Sequence, residues 1–230
     1  MIQLHYLNHS RAHRIAWLLE ELEFAYEVVM HTRNVESSLA PDSLKFIHPL
    51  GKSPVIEDGD KNVAESGAIV EYLIHKAGNT LKPAVNTPEH AHYTYWMHFA
   101  EGSAMPLHVI NLIFDKIENA DLPWYLKWLV RPIAQGISQQ VKNSYLEPNL
   151  NAQLEFIDNH LKQNTWFCGS QLTGADIMMS FPLEIAIHNG KTKPNRTPNN
   201  ILRYVSQIHQ RPCYQRALAK CQNDYAFYKP

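Results

Sequence analysis

Three short stretches in the first third of the chain hold residue types able to do chemistry. They are Asn8-His9-Ser10 after an alternating apolar opening, Lys52-Ser53-Pro54, and Glu65-Ser66 ahead of an apolar run. Ser66 is predicted in the first turn of a helix, where unpaired backbone N–H groups and the helix dipole favour a carboxylate. The same residues also fit a plainer reading, with Ser66 as a cap and Glu65 as a solvated first-turn acid. Ser10 stands at the start of an earlier helix, a position serine favours as an N-cap. Asn8 lies nearer the end of the first strand and can donate through its amide. Lys52 fits an exposed loop, and Tyr6 alternates with apolar residues and reads as core.

The elements that must position these groups follow from periodicity. Ile2, Leu4 and Tyr6 alternate as a strand, and Ile15, Leu18, Leu19 and Leu22 form one stripe of an amphipathic helix. Phe24 to His31 is rich in β-branched and aromatic residues and reads as a second strand. A short helix is predicted near Pro41 to Ile47. Val55-Ile56 and Asn62-Val63-Ala64 flank Asp58-Gly59, a hairpin signal. Glu65-Ser66 then opens a helix with Ile69, Tyr72 and Leu73 on its stripe, closed by Gly78-Asn79. The order is β-α-β-α-β-β-α. Thr80 to Pro88 reads as a linker, dividing the chain into 1–80 and an all-helical 88–230. Helices are predicted over Glu89–Ile117, Pro123–Leu146, Asn149–Gln163, from Thr173 to about His188, Asn199–His209 and Pro212–Cys221. Thr173 with Asp176 resembles a capping box, flanked by Leu172 and Ile177 as a hydrophobic staple. Asp176 is therefore read as a folding residue.

Composition excludes several classes. Twenty-one Lys+Arg balance twenty-two Asp+Glu without a long run of one sign, which gives no basis for a nucleic-acid or membrane-surface partner. Cys168, Cys213 and Cys221 are odd in number and lack C-x-x-C spacing, which argues against a disulfide framework or zinc site and fits a reducing compartment. The thirteen histidines complete no recognisable ligand set, so no metal is expected. The opening MIQLHYLNHSRAHR reads as strand and turn, not as a signal peptide. Apolar stretches break before the roughly 20 residues of a membrane span. A soluble, cytoplasmic protein is expected.

The stretches SRAHRIAWLLEELEFAYEVV, HPLGKSPVIEDGDKNVAESGAIVEYL and LTGADIMMSFPLE resemble the glutathione transferase superfamily, and the resemblance spans essentially the whole chain. WLLEEL and YTYWMHFAEGSAMPL resemble the bacterial and fungal subgroup that includes yeast transferase-like enzymes. The resemblance implies a thioredoxin-like α/β domain that binds glutathione as co-substrate, followed by a helical domain that receives a hydrophobic electrophile. It implies that Ser66 and its amide hold the γ-glutamyl carboxylate, and that Glu65 approaches the ligand's amino group. Pro54 aligns with the family's cis-proline, and Ser53, where valine is usual, offers its main chain to the cysteinyl amide. Lys52 aligns with a polar position that reaches the glutathione backbone or a carboxylate. His48 replaces a common asparagine and receives no role.

A free thiol, with a pKa of about 8.5, is only a few per cent thiolate near neutrality, so the site's main task is to lower that pKa. Family members use Tyr, Ser or Cys after the first strand. No cysteine is present there, so the resemblance leaves Ser10 or Asn8 as donor to the thiolate, with His9 either loop or site. Tyr93, Trp96, Phe99 and Trp124 are candidates to line the electrophile pocket. The implied activity is conjugation of glutathione to an electrophile, or peroxide reduction, in a detoxifying homodimer. The rivals are a glutathione-dependent thiol–disulfide reductase or dehalogenating enzyme, and a transferase-fold binding protein without turnover.

Overall fold

The computed structural model describes residues 1–37, 39–191 and 198–225, with side chains 190 and 191 excepted. The first part contains β1 (Ile2–Leu7), α1 (Ala12–Glu21), β2 (Tyr26–His31), α2 (Ser43–Ile47), β3 (Val55–Asp58), β4 (Lys61–Ala64) and α3 (Ser66–Lys76), in the β-α-β-α-β-β-α order of the thioredoxin-like domain. The strands lie in the order β2-β1-β3-β4, with β1 parallel to β2 and antiparallel to β3. Asp58 pairs with Lys61, so the hairpin loop is Gly59-Asp60 and not Asp58-Gly59. Gly59 takes φ +67°, as a two-residue hairpin needs at its first central position.

The stripe predicted for α1 understates its burial. Every residue from Ala12 to Leu19 is buried, His13 and Arg14 included, because α1 lies between the sheet domain and the helices that follow. On α3 the buried apolar set is Ile69, Val70, Leu73 and Ile74, with Ser66 buried at its start. Tyr72, the remaining predicted stripe residue, is partly buried and packs against that core, while its hydroxyl donates to Asp58 at 2.7 Å.

The helical part comprises α4 (Pro88–Phe99), α5 (Met105–Glu118), α6 (Trp124–Val141), α7 (Glu147–Gln163), α8 (Gly174–Lys191), α9 (Asn199–His209) and α10 (Pro212–Lys220). Thr87 caps α4, its Oγ1 accepting from the His90 N–H at 3.2 Å. Two corrections concern continuity. The helix predicted over Glu89–Ile117 is α4 and α5 joined by a π turn, Ala100–Ala104, and the break predicted after Leu146 is a second π turn, Lys142–Leu146. A proline two residues beyond each turn, Pro106 and Pro148, supplies the reason. Proline lacks an N–H and crowds the carbonyl four residues back, and the wider turn relieves both.

Gly174 opens α8 so close to α3 that an added Cβ would sit 2.5 Å from Ile74 Cδ1. The two parts of the chain therefore meet at a glycine. Two residues on, Asp176 is fully buried and accepts from the N–H groups of Phe167 (2.9 Å) and Thr173 (2.8 Å), the Thr173 hydroxyl (3.0 Å) and the Tyr204 hydroxyl (2.9 Å). The predicted capping box is half realised. Its acid reaches back to the Thr173 amide, but the threonine hydroxyl donates to the carboxylate instead of accepting from the helix. Burial raises the Asp176 pKa to about 6 despite these donors.

Candidate active site

The β1–α1 turn, the stretch before β3 and the start of α3 converge because the sheet brings β1 and β3 side by side. The Ser53–Pro54 peptide is cis. Pro54 has no N–H and the β1–β3 ladder begins only at Val55, so the Ser53 side chain extends it. Its hydroxyl donates to the His5 carbonyl at 2.8 Å and accepts from the Leu7 N–H at 3.1 Å. A valine at this position makes neither bond. Glu65 holds φ 69°, a conformation that costs a non-glycine residue about 1–3 kcal/mol and clusters at functional sites.

A small cavity of about 80 Å³ is lined by Arg11, His48, Leu50, Lys52, Ser53, Pro54, Ala64, Glu65 and Ser66. It thus brings together five of the residues singled out in the sequence. Ser66 is buried there in the first turn of α3, with Glu65 immediately before it. His48, without a role in the sequence reading, also lines it.

Beside it opens a cavity of about 460 Å³ between the β1–α1 turn, α5 and α8. Ser10 lines it together with His9, Arg33, Met105, His108, Leu112, Phe181 and Ile185. Arg11 and Ser53 line both cavities. Ser10 is buried two residues ahead of α1, and its Oγ accepts from the Ala12 N–H at 3.2 Å, which leaves the hydroxyl proton available for donation. Asn8 lines neither cavity. Its Oδ1 accepts from the Arg33 N–H at 2.9 Å, tying the β1–α1 turn to the loop after β2.

The four aromatics proposed for the electrophile pocket line neither cavity. Tyr93 and Trp96 are buried core, Phe99 packs against that core, and Trp124 is 84% exposed at the start of α6. Phe181, from α8, is the aromatic that does line the cavity. His108 lies beside the Pro182 carbonyl, and burial lowers its pKa to about 4, so its ring is neutral at neutral pH. Sequence reasoning missed His108 and Arg11. For Arg11 a signal existed, since it follows Ser10 inside one of the motif stretches, whereas nothing in the α5 periodicity marks His108. No cysteine lines either cavity, and burial pushes the Cys168 and Cys221 thiols up to about 12.

The family model described as "Glutathione S-transferase, N-terminal domain" matches residues 1–75, and "Glutathione S-transferase, C-terminal domain" matches 124–212. "Glutathione S-transferase 3" of Schizosaccharomyces pombe is 36% identical, over 97% of this chain and 89% of its own length. "Glutathione S-transferase 1" of Saccharomyces cerevisiae is 32% identical, over 96% of each. A crystal structure of a glutathione S-transferase from Actinobacillus pleuropneumoniae is 34% identical, covers 96% of this chain and 93% of its own, and superposes with a TM-score of 0.74. Fold and relatives define a two-domain class with a thioredoxin-like first domain and a helical second. The chain belongs to the glutathione S-transferase family.

Proposed function

We propose that this protein is a glutathione transferase whose co-substrate occupies the small cavity and whose second, hydrophobic substrate occupies the large one. The observation that carries this reading is the meeting of the two cavities at Ser53 and Arg11, with buried Ser10 beside the junction. Ser66 and its amide receive the γ-glutamyl carboxylate, and Glu65 faces the ammonium. Ser53 and Pro54 present main chain to the cysteinyl unit, and Lys52 reaches the backbone or a carboxylate. A serine hydroxyl is no base at neutral pH, so Ser10 acts by donating to the thiolate. With a haloarene, the sulfur forms a bond to the ring carbon and the halide leaves. With a peroxide, two glutathione thiols are oxidised to the disulfide while the O–O bond is cleaved to an alcohol and water. Conjugation and peroxide reduction both suit a detoxifying role.

The thiol–disulfide alternative lacks a cysteine at either cavity. A binding protein without turnover is the remaining rival, and the strained Glu65 backbone speaks for a working ligand site. Calorimetry with glutathione separates the two, since a protein that does not bind it is no transferase. Titration of the bound thiolate absorbance then tests activation. Ser10→Ala raises the bound-thiol pKa by roughly one to two units, at about 1.36 kcal/mol each, with affinity little changed. A rise in Asn8→Ala and none in Ser10→Ala transfers the role to Asn8.

The remaining features of the reading are domain limits of 1–80 and 88–230, a cytoplasmic location and a two-fold homodimer. Residues 226–230 of the second domain lie outside the described residues. Among the described residues no helix is long and apolar enough to cross a membrane. Leu129, Ile133 and Ile137 on α6 and Ile113 on α5 are each at least half exposed, an apolar surface of the kind that marks an interface. Light scattering at micromolar concentration is expected to give twice the 26.5 kDa chain mass, and a monomer removes this claim.

A further inference from the structure

Around Ser10 the second domain contributes a charge that reaches the site indirectly. Glu101 stands in the π turn between α4 and α5. Its Oε2 lies 3.1 Å from Arg11 Nη1, and its Oε1 accepts from Arg14 Nη2. Arg14 is buried and donates through Nη1 to the Met178 carbonyl at 2.9 Å. Two guanidinium groups thus share one carboxylate, and the cluster keeps a positive charge in excess. Arg14 is too deeply enclosed to reach a ligand. The Arg11 side chain is about one-third exposed, follows Ser10 in the chain and lines both cavities.

We propose that Arg11 stabilises the glutathione thiolate from the junction of the two cavities, and that Glu101 is the positioning residue that holds it there. The inference rests on the placement of glutathione given above. A long, flexible side chain at a solvent-open junction samples many rotamers, and Glu101 restricts Arg11 to those near the sulfur's position. Each Glu101 oxygen engages one guanidinium, so Arg14, fastened to α8, fixes the carboxylate that in turn fixes Arg11. The helical domain then helps to activate the thiol without touching it. A cation within 4–6 Å shifts an acid's pKa by about 1–3 units. Partial exposure and sharing with Glu101 put Arg11 near the lower end.

The test is the pH titration of bound-thiolate absorbance in the full-length protein, with glutathione affinity and melting temperature measured alongside. Arg11→Gln is expected to raise the bound-thiol pKa by about one unit, a tenfold loss of thiolate below that pKa, with little change in melting. Arg11→Lys recovers part of the shift. Glu101→Gln is the decisive companion. Removing an acid near a thiol lowers its pKa by electrostatics alone, so a rise in this variant reports lost positioning. An unchanged bound-thiol pKa in Arg11→Gln, or a fall in Glu101→Gln, overturns the inference. Should Glu101→Gln fail to fold, Arg11→Gln decides by itself. Absence of glutathione binding in the wild type would bring down the transferase reading and this inference together. Wild-type binding with a lowered thiol pKa that Arg11→Gln does not move brings down the inference alone.

Discussion

The two cavities are built on opposite plans. The small one is made almost entirely from a run of nineteen positions, His48 to Ser66, closed by Arg11. The large one draws on the β1–α1 turn, Arg33, Ser53, α5 and α8, segments up to about 180 residues apart. The first is main-chain geometry, made of a cis peptide, a strained residue and a helix start, and it tolerates little change. The second is a wall of side chains on helices, whose shape changes with each substitution at little cost to the fold. This division suits the proposed placement of a fixed co-substrate in the first and a variable second substrate in the second.

The harshest challenge to that contrast is a residue belonging to neither cavity. Asp176→Ala leaves the amides of Phe167 and Thr173 and two hydroxyls without their acceptor in a dry interior. At about 1–3 kcal/mol for an orphaned buried group, the loss is expected to be at least about 3 kcal/mol in denaturant melts. Glutathione affinity in the surviving folded fraction stays within twofold. A large loss of affinity without loss of stability would show that α8 serves the small cavity directly.

Next in size is Ser66→Ala, which on the proposed placement of glutathione removes a hydrogen bond to a charged group, worth roughly 1.5–3 kcal/mol. Calorimetry is expected to show glutathione bound some ten- to hundredfold more weakly, with the KM for a chloronitrobenzene electrophile unchanged at saturating glutathione. Glu65→Gln weakens binding in the same direction. If neither variant moves the dissociation constant, the two cavities are not divided as described.

Leu112→Ala asks the converse. It removes apolar wall from the large cavity and is expected to raise that electrophile's KM about fivefold, near 1 kcal/mol on a scale of about 0.8 kcal/mol per buried methylene. The glutathione dissociation constant stays put. Equal changes in both constants would mean that the cavities act as one.

The gentlest test is acid. Burial lowers the pKa of His13 and of His108 to about 4, against 6.5 in an unfolded chain. It raises that of Asp176 from 3.8 to about 6. Between pH 4 and 6 the unfolded chain therefore binds two extra protons on the histidines, while the folded chain holds one extra on Asp176. From these three groups one net proton favours unfolding, so stability rises with pH by about 1.4 kcal/mol per unit across that window. Asp176→Asn removes the opposing proton and is expected to double the slope. His108→Gln halves the histidine contribution, and a slope indifferent to it would show that the α5 wall of the large cavity is wetter than its burial indicates.

Much of the molecule was legible because its signals are local. The β-α-β-α-β-β-α order, the start of α3 at Ser66 and the roles of Asp176 and Tyr6 as interior residues follow from spacing within a few positions. The hairpin was misplaced by one residue because Asp58-Gly59 and Gly59-Asp60 both carry turn chemistry, and only pairing with Lys61 chooses between them. The helix break expected before Asn149 failed for a different reason. Pro148 does stop an ordinary α-helix, and only the surrounding helices show that a π turn carries the chain past it. Sequence did not tell Phe181, which lines the large cavity, from Tyr93 and Trp96, which do not, because all three sit on apolar helical stretches and helical spacing says which residues share a face but not what that face meets.

What the sequence determined by itself is therefore the set of parts whose chemistry depends on neighbours in the chain. These are the Glu65-Ser66 helix start and the Ser10 hydroxyl ahead of α1, whereas the cis Ser53–Pro54 bond was expected only from the family resemblance. The tertiary structure decided which parts stand together. It set Arg11 between two cavities, turned Asn8 toward Arg33, and buried His13 and Arg14 on a helix whose periodicity promised them water. The physical reason is that periodicity reports one buried face of a helix. α1 is covered on its remaining sides by α8 and α10, which lie some 160 residues or more further along the chain.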